Sequence, residues 1–174
     1  MKKIISNVLF VIYMIIAIFV TVCLLSYNDF KVTEFGDYSL VIITDDELEP
    51  DYKKGDLVIV SKQKSIDVGK KAFFYNTYNR DIEIKLGTIV NAEPVTATET
   101  TYTLEGEHKI SGQYILGPSD TSKTISGVGT ILSILESKWG FLFIIVLPAL
   151  LAFIYQISVV ISEIRESKDN KEKK

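Results

Sequence analysis

Asp45, Asp46, Glu47, Glu49 and Asp51 crowd five carboxylates into seven residues. Two carboxyls facing each other across a dry cleft can share a proton and do acid–base work. The same oxygens suit Ca²⁺, but the glycine and ligand spacing of a calcium loop are missing. Taken alone, the cluster reads as a solvated acidic loop. Its sharper alternative is a recognition surface for a basic or metal partner. Other groups able to do chemistry are scattered. Thr44 is the nearest hydroxyl, three residues before Glu47. Lys85 lies in the alternating stretch Asp81–Leu86, and a desolvated lysine can act as a base. His108, the sole histidine, sits in the charged turn Glu105-Gly106-Glu107-His108-Lys109 and reads as an exposed loop residue.

Counts exclude several classes. One Cys cannot form an internal disulfide or a cysteine-based zinc site. One His rules out two-histidine metal motifs, so neither a metal nor another cofactor is expected. A net charge of -3 leaves no basic footprint for nucleic acid.

These groups need elements to position them, and the ends of the chain are the most legible. Ile4 to Asn28 is uncharged over 25 positions and Gly140 to Ser162 over 23. A helix needs about 20 apolar residues to cross a bilayer. Residues 4–27 are therefore expected to be one transmembrane helix and 140–162 another, kinked near Pro148. Cys23 is expected to pack in the first as a small apolar residue. The first run exceeds the about 7–15 apolar residues of a cleaved signal and lacks an A-x-A site, so it reads as a retained signal anchor. Lys2 and Lys3 precede it, and the alternating charged tail 163–174 follows the second span. By the positive-inside rule both termini are cytoplasmic, in a two-pass protein of the plasma membrane. Between them, positions 28–139 hold 12 Lys/Arg against 18 Asp/Glu, which suits an extracytoplasmic segment. Tyr27 and Trp139 fall where interfacial aromatics belong.

The central residues 28–126 read as strands. Tyr38–Thr44, Asp56–Val60, Lys71–Tyr75, Asp81–Leu86, Thr88–Asn91, Thr100–Leu104 and Gln113–Leu116 are short β-branched, aromatic or alternating runs. Asn79-Arg80 and Glu105-Gly106 fit hairpin turns. The expected fold is a mostly β, antiparallel extracytoplasmic domain flanked by two transmembrane helices. Residues 127–139 place Val128, Ile131, Leu132 and Leu135 at helical spacing. They read either as an amphipathic juxtamembrane helix or as an extension of the second span.

The run Glu47-Leu48-Glu49-Pro50-Asp51-Tyr52-Lys53-Lys54-Gly55-Asp56-Leu57-Val58-Ile59-Val60 resembles the nucleophile box of signal peptidase I, in the form shared by the endoplasmic reticulum, archaea and some Gram-positive bacteria. That box reads S-M-x-P, a short spacer, then G-D-L/I-V. Phe35-Gly36, Thr103–Glu107, Tyr114–Gly117 and Gly127–Pro148 resemble further family segments in the same order. The resemblance covers roughly Phe35 to Ile161. It implies a signal-peptidase-like β fold, with Leu48, Glu49, Pro50 and Val58 at binding positions. It also implies that the family's catalytic positions are altered. The nucleophilic serine aligns with Glu47, and the base histidine with Lys85 or Gly87. The acid after the glycine is Glu107.

A carboxylate is a poor nucleophile toward an amide, and the shift from Glu47 to Thr44 moves a hydroxyl by several ångströms, where an error of about 1 Å can cost about 100-fold. The resemblance therefore implies a pseudoenzyme that binds a secreted preprotein or an active signal peptidase. An active peptidase with a rearranged site of Glu47, Lys85, Glu107 and His108 is the enzymatic alternative. An assembly subunit unrelated to cleavage is the third.

Overall fold

A computed structural model describes residues 2–28, 30, 32–63, 65–77, 82–96, 99–106 and 108–172, with backbone alone for 2–7 and 166–172. The chain divides into two compact units, Met1–Ser133 and Ile134–Lys174.

The first unit opens with helix α1, Lys2–Leu25. Its apolar run offers no polar face, and most of its described side chains lie exposed, although Val20 and Cys23 are buried. Among the described residues nine strands follow: β1 Thr33–Phe35, β2 Tyr38–Ile42, β3 Leu57–Ser61, β4 Lys71–Asn76, β5 Glu83–Pro94, β6 Thr100–Leu104, β7 Lys109–Ser111, β8 Ile115–Pro118 and β9 Lys123–Ile125. They form two antiparallel sheets, ordered β1-β2-β3-β9 and β7-β6-β5-β4-β8. Val41, Val58 and Val60 from the first sheet, with Ile43 just after β2, share a core with Phe73, Tyr75 and Leu116 from the second. Ala72 instead joins Ile89, Tyr102, Leu104 and Ile115 in another cluster. Successive β4 side chains thus enter different cores, which accounts for the near-continuous apolar run Ala72–Tyr75: a strand buried on both faces has no need to alternate.

A single amide organises the junction between α1 and the sheets. Asn28 Oδ1 accepts from the backbone N–H groups of Phe30 (2.9 Å) and Val32 (3.0 Å). Its Nδ2 donates to Glu34 Oε1 (2.8 Å) and to the Tyr75 hydroxyl (2.7 Å). Glu34 in turn accepts from Lys62 Nζ at 3.2 Å. Phe30 lies against Tyr75, their rings 4.3 Å apart.

In the second unit, the one-turn helix α3, Lys138–Gly140, leads through a π-helical turn, Phe141–Val146, into helix α4, Leu147–Glu172. Helix α2, Val128–Glu136, precedes them across the division between the units. Ser137 is extended (φ -65, ψ 149), and its side chain caps α3 by accepting from Gly140 N at 3.0 Å. Helix α2 is therefore a separate helix and not an extension of α4. The irregularity expected near Pro148 takes the form of the π turn just before it, where Leu147 N donates to Leu142 O. Proline lacks an N–H and crowds the carbonyl four residues earlier, so the ladder shifts register ahead of it.

Helix α1 and the stretch Lys138–Arg165 are long and apolar enough to cross a membrane. The expectation of a mostly β protein needs correction. The two long helices together hold more residues than the described strands, because α4 runs past its apolar stretch through the charged tail as far as Glu172. Three strand expectations also change. Gln113–Leu116 begins in a 3-10 turn, Gly112–Tyr114, and β8 starts only at Ile115. Asp81–Leu86 and Thr88–Asn91 are one strand, β5, whose pairing with β6 shifts register between Ile89 and Asn91. Gly87 looked like a break but sits mid-strand, where a Cβ would come within 3.0 Å of the Phe74 ring. Asp81 and the expected turn at Asn79-Arg80 lie outside the described residues.

Burial pushes the Tyr75 phenol up to about 12, with the Asn28 hydrogen bond opposing and the Glu34 charge reinforcing that shift. A folded-state pKa above the ordinary value of about 10 means that the unfolded chain releases this proton first. The associated stability is complete below pH about 10 and is lost as pH rises through about 12, a loss of at most about 2–3 kcal/mol. Unfolding of the full chain in detergent, followed by near-ultraviolet circular dichroism, should show this fall in the wild type. The Tyr75→Phe variant should start less stable and show a smaller decline.

Candidate functional site

The acidic run forms the connection between β2 and β3. Its shape is fixed locally and from below. Asp45 Oδ1 accepts from Glu47 N at 3.0 Å, a side-chain turn of the kind aspartate favours. Tyr52 N donates to Leu48 O at 3.0 Å, and Gly55 N to Ile43 O at 2.8 Å. Gly55 holds a φ of +88, which glycine reaches without the strain a Cβ would bring. Two side chains root the connection in the core. Leu48 packs against the cluster between the sheets, and Tyr52 is buried with its ring 5.0 Å from that of Phe73. The Glu49–Pro50 peptide is cis. With the apolar residues turned inward, the carboxylates face outward.

Strand β5 faces this connection, and a cleft of about 410 Å³ lies between them. Glu47, Leu48, Glu49 and Asp51 line one side; Leu86, Gly87 and Thr88 line the other, with Lys71 and Glu105 completing it. The register explains the second group. Gly87 pairs with Ala72 and Thr88 with Lys71 across β4 and β5, while Glu105 N donates to Thr88 O at 2.9 Å.

Ion pairs tie the two sides together. Lys85 Nζ lies 2.9 Å from Glu47 Oε2 and 3.4 Å from Glu83 Oε2. Lys71 Nζ donates to Asp51 Oδ2. The Glu47 hydrogen bond, reinforced by Glu83, holds the Lys85 ammonium above the ordinary lysine range against a smaller opposing effect of burial. A lysine held in its charged form has no lone pair with which to take a proton. Lys85 is therefore a paired cation next to Glu47 of the cleft lining.

The residues picked out from sequence are distributed unevenly. Glu47 and Lys85, 38 positions apart, are in contact. Gly87, Leu48 and Glu49 line the cleft, while Pro50 is exposed beside it. Val58 is fully buried in the core between the sheets and is not among the residues lining the cleft. Glu107 lies outside the described residues. His108 is exposed and not part of the cleft lining. The Thr44 hydroxyl is exposed and 3.4 Å from Asp45 Oδ2. Among the described residues, no three His, Cys, Asp or Glu side chains converge as a metal site would require. Sequence reasoning passed over Thr88, Lys71 and Glu105. The usable signal was pairing register, since Thr88 lies opposite Lys71 once β4 and β5 are aligned.

Comparison with protein-family profiles, curated proteins and solved structures returned no match.

Because Glu47 and Lys85 remain substantially in water, their pair stabilises weakly. A double-mutant cycle with Glu47→Gln and Lys85→Met, read by thermal unfolding, should give a coupling below about 1 kcal/mol that shrinks at high salt. A coupling of several kcal/mol would mean that the pair is shielded.

Proposed function

We propose that the chain is a two-pass membrane protein resembling signal peptidase I that has lost peptidase chemistry and binds an extended segment of a secreted preprotein or of a partner peptidase. The carrying observation is the Glu47–Lys85 ion pair, at the position where the family resemblance expects the nucleophile and at one of the two, Lys85 or Gly87, where it expects the base. Acyl transfer requires a nucleophile with an adjacent base free to accept its proton. A carboxylate paired with a charged ammonium supplies neither part. The cleft itself supports binding: it is open, has two apolar residues in its lining and is bordered by the strand and connection between which a chain segment would lie. In this reading Lys2, Lys3 and the charged tail lie in the cytoplasm, and the two sheets lie at the outer face of the plasma membrane.

The test uses the full chain in liposomes with a fluorescent preprotein peptide spanning a signal-peptide cleavage site. Binding without cleavage is expected, and Glu49→Arg at the cleft should weaken binding several-fold. Glu47→Ser should also fail to cleave, because Lys85 stays protonated beside Glu83. Cleavage by the wild type that disappears with Glu47→Ala would overturn the reading in favour of a rearranged active peptidase. Stable co-purification with a complex, without any peptide binding, would instead favour an assembly subunit.

A further inference from the structure

Helix α2 has more apolar surface than the protein covers. Gly129 and Leu132 are buried. Thr130 N donates to Gly55 O at 3.2 Å, and a Cβ on Gly129 would come within 2.8 Å of that same carbonyl, so the helix backbone lies directly on the start of β3. Val128, Ile131 and Ile134 recur at the spacing of one helical face and are 37%, 60% and 53% exposed. From Thr124 to Leu135 the sequence carries no charge. A helix that faces water normally carries charged residues on that side. This one is pinned along one edge and apolar along the next.

We propose that this face docks in the headgroup region of the bilayer, making α2 an interfacial helix. The inference rests on reading Lys138–Arg165 as a span. Chain continuity then identifies the occupant. Only Ser137 separates the last residue of α2 from Lys138, and an extended chain covers at most about 3.6 Å per residue. Wherever the span sits, the end of α2 lies within about 10 Å of its start, comparable to the about 5–10 Å depth at which interfacial helices bury their apolar faces. Trp139 is 67% exposed and stacks on Phe143, an aromatic pair of the kind that collects at this level. Because α2 holds the Gly55 carbonyl, docking it also fixes the connection that carries Glu47 to Asp51.

The experiment is spin-label depth measurement on the full chain in phosphatidylcholine–phosphatidylglycerol vesicles, in a Cys23→Ala background. Labels are placed singly by Ile131→Cys, Ile134→Cys, Val95→Cys and Phe153→Cys. Accessibility to oxygen is compared with accessibility to a water-soluble nickel chelate. Labels at 131 and 134 should be several-fold better shielded from nickel than the label at 95, and shallower than the label at 153. Nickel access at 131 and 134 equal to that at 95 would overturn the inference, while a shielded 153 label would leave the span intact. Nickel access at 153 would instead overturn the span reading itself. Shielding at 131 accompanied by dipolar broadening between labels would assign the face to a second copy of the chain and overturn lipid docking.

Discussion

The Asn28 side chain uses all four of its hydrogen-bonding positions, two as acceptor and two as donor. Its acceptors fold the backbone back immediately after α1, and the return brings Glu34 onto β1. Its donors reach across to Tyr75 on β4, in the second sheet. A partly buried amide satisfied on one side only would be costly, since an unmade hydrogen bond away from water loses about 1–3 kcal/mol. Satisfied on every side, it ties the segment that follows α1 to Glu34 of β1 and to Tyr75 of β4. The packing of Phe30 on Tyr75 and the common core of Val41, Val58, Val60 and Phe73 then follow from that placement.

The same constraint explains why the cleft has a fixed shape despite its exposed charges. Individual ion pairs in water contribute little, so Glu47–Lys85 and Asp51–Lys71 cannot by themselves hold the connection between β2 and β3. Leu48 and Tyr52 do that by burial, in the core that Tyr75 also enters. Apolar anchoring sets geometry, and the charges then decide what the geometry accepts. Lys85 is held as a cation by Glu47 and Glu83, so Glu47 meets the cleft already paired.

Legibility in the sequence tracked how local each determinant was. The long helices were readable because an uncharged run of more than 20 residues is its own signal. β6 was read to its ends, Thr100–Leu104, and β2, β3 and β4 to within two residues. β1, β7 and β9 were missed, since three residues cannot display a period of two. Gly87 misled because a glycine placed for lack of room beside Phe74 is indistinguishable, one-dimensionally, from a glycine that ends a strand. The site was divided in the same way. Leu48 and Glu49 could be named from a motif. Thr88, Lys71 and Glu105 enter through strand pairing, a non-local property that composition does not encode. The burial of Val58 could not be read from the motif, because motif membership carries no information about which side of a strand faces the core.

Glu47 does two things at the cleft. Its carboxylate stabilises the charged form of Lys85, and it adds a negative group to a lining that already includes Glu49, Asp51 and Glu105. Lys71, in the same lining, has its charge engaged by Asp51. The carboxylates therefore set the field of the cleft, and a negative field favours approach by segments carrying lysine or arginine.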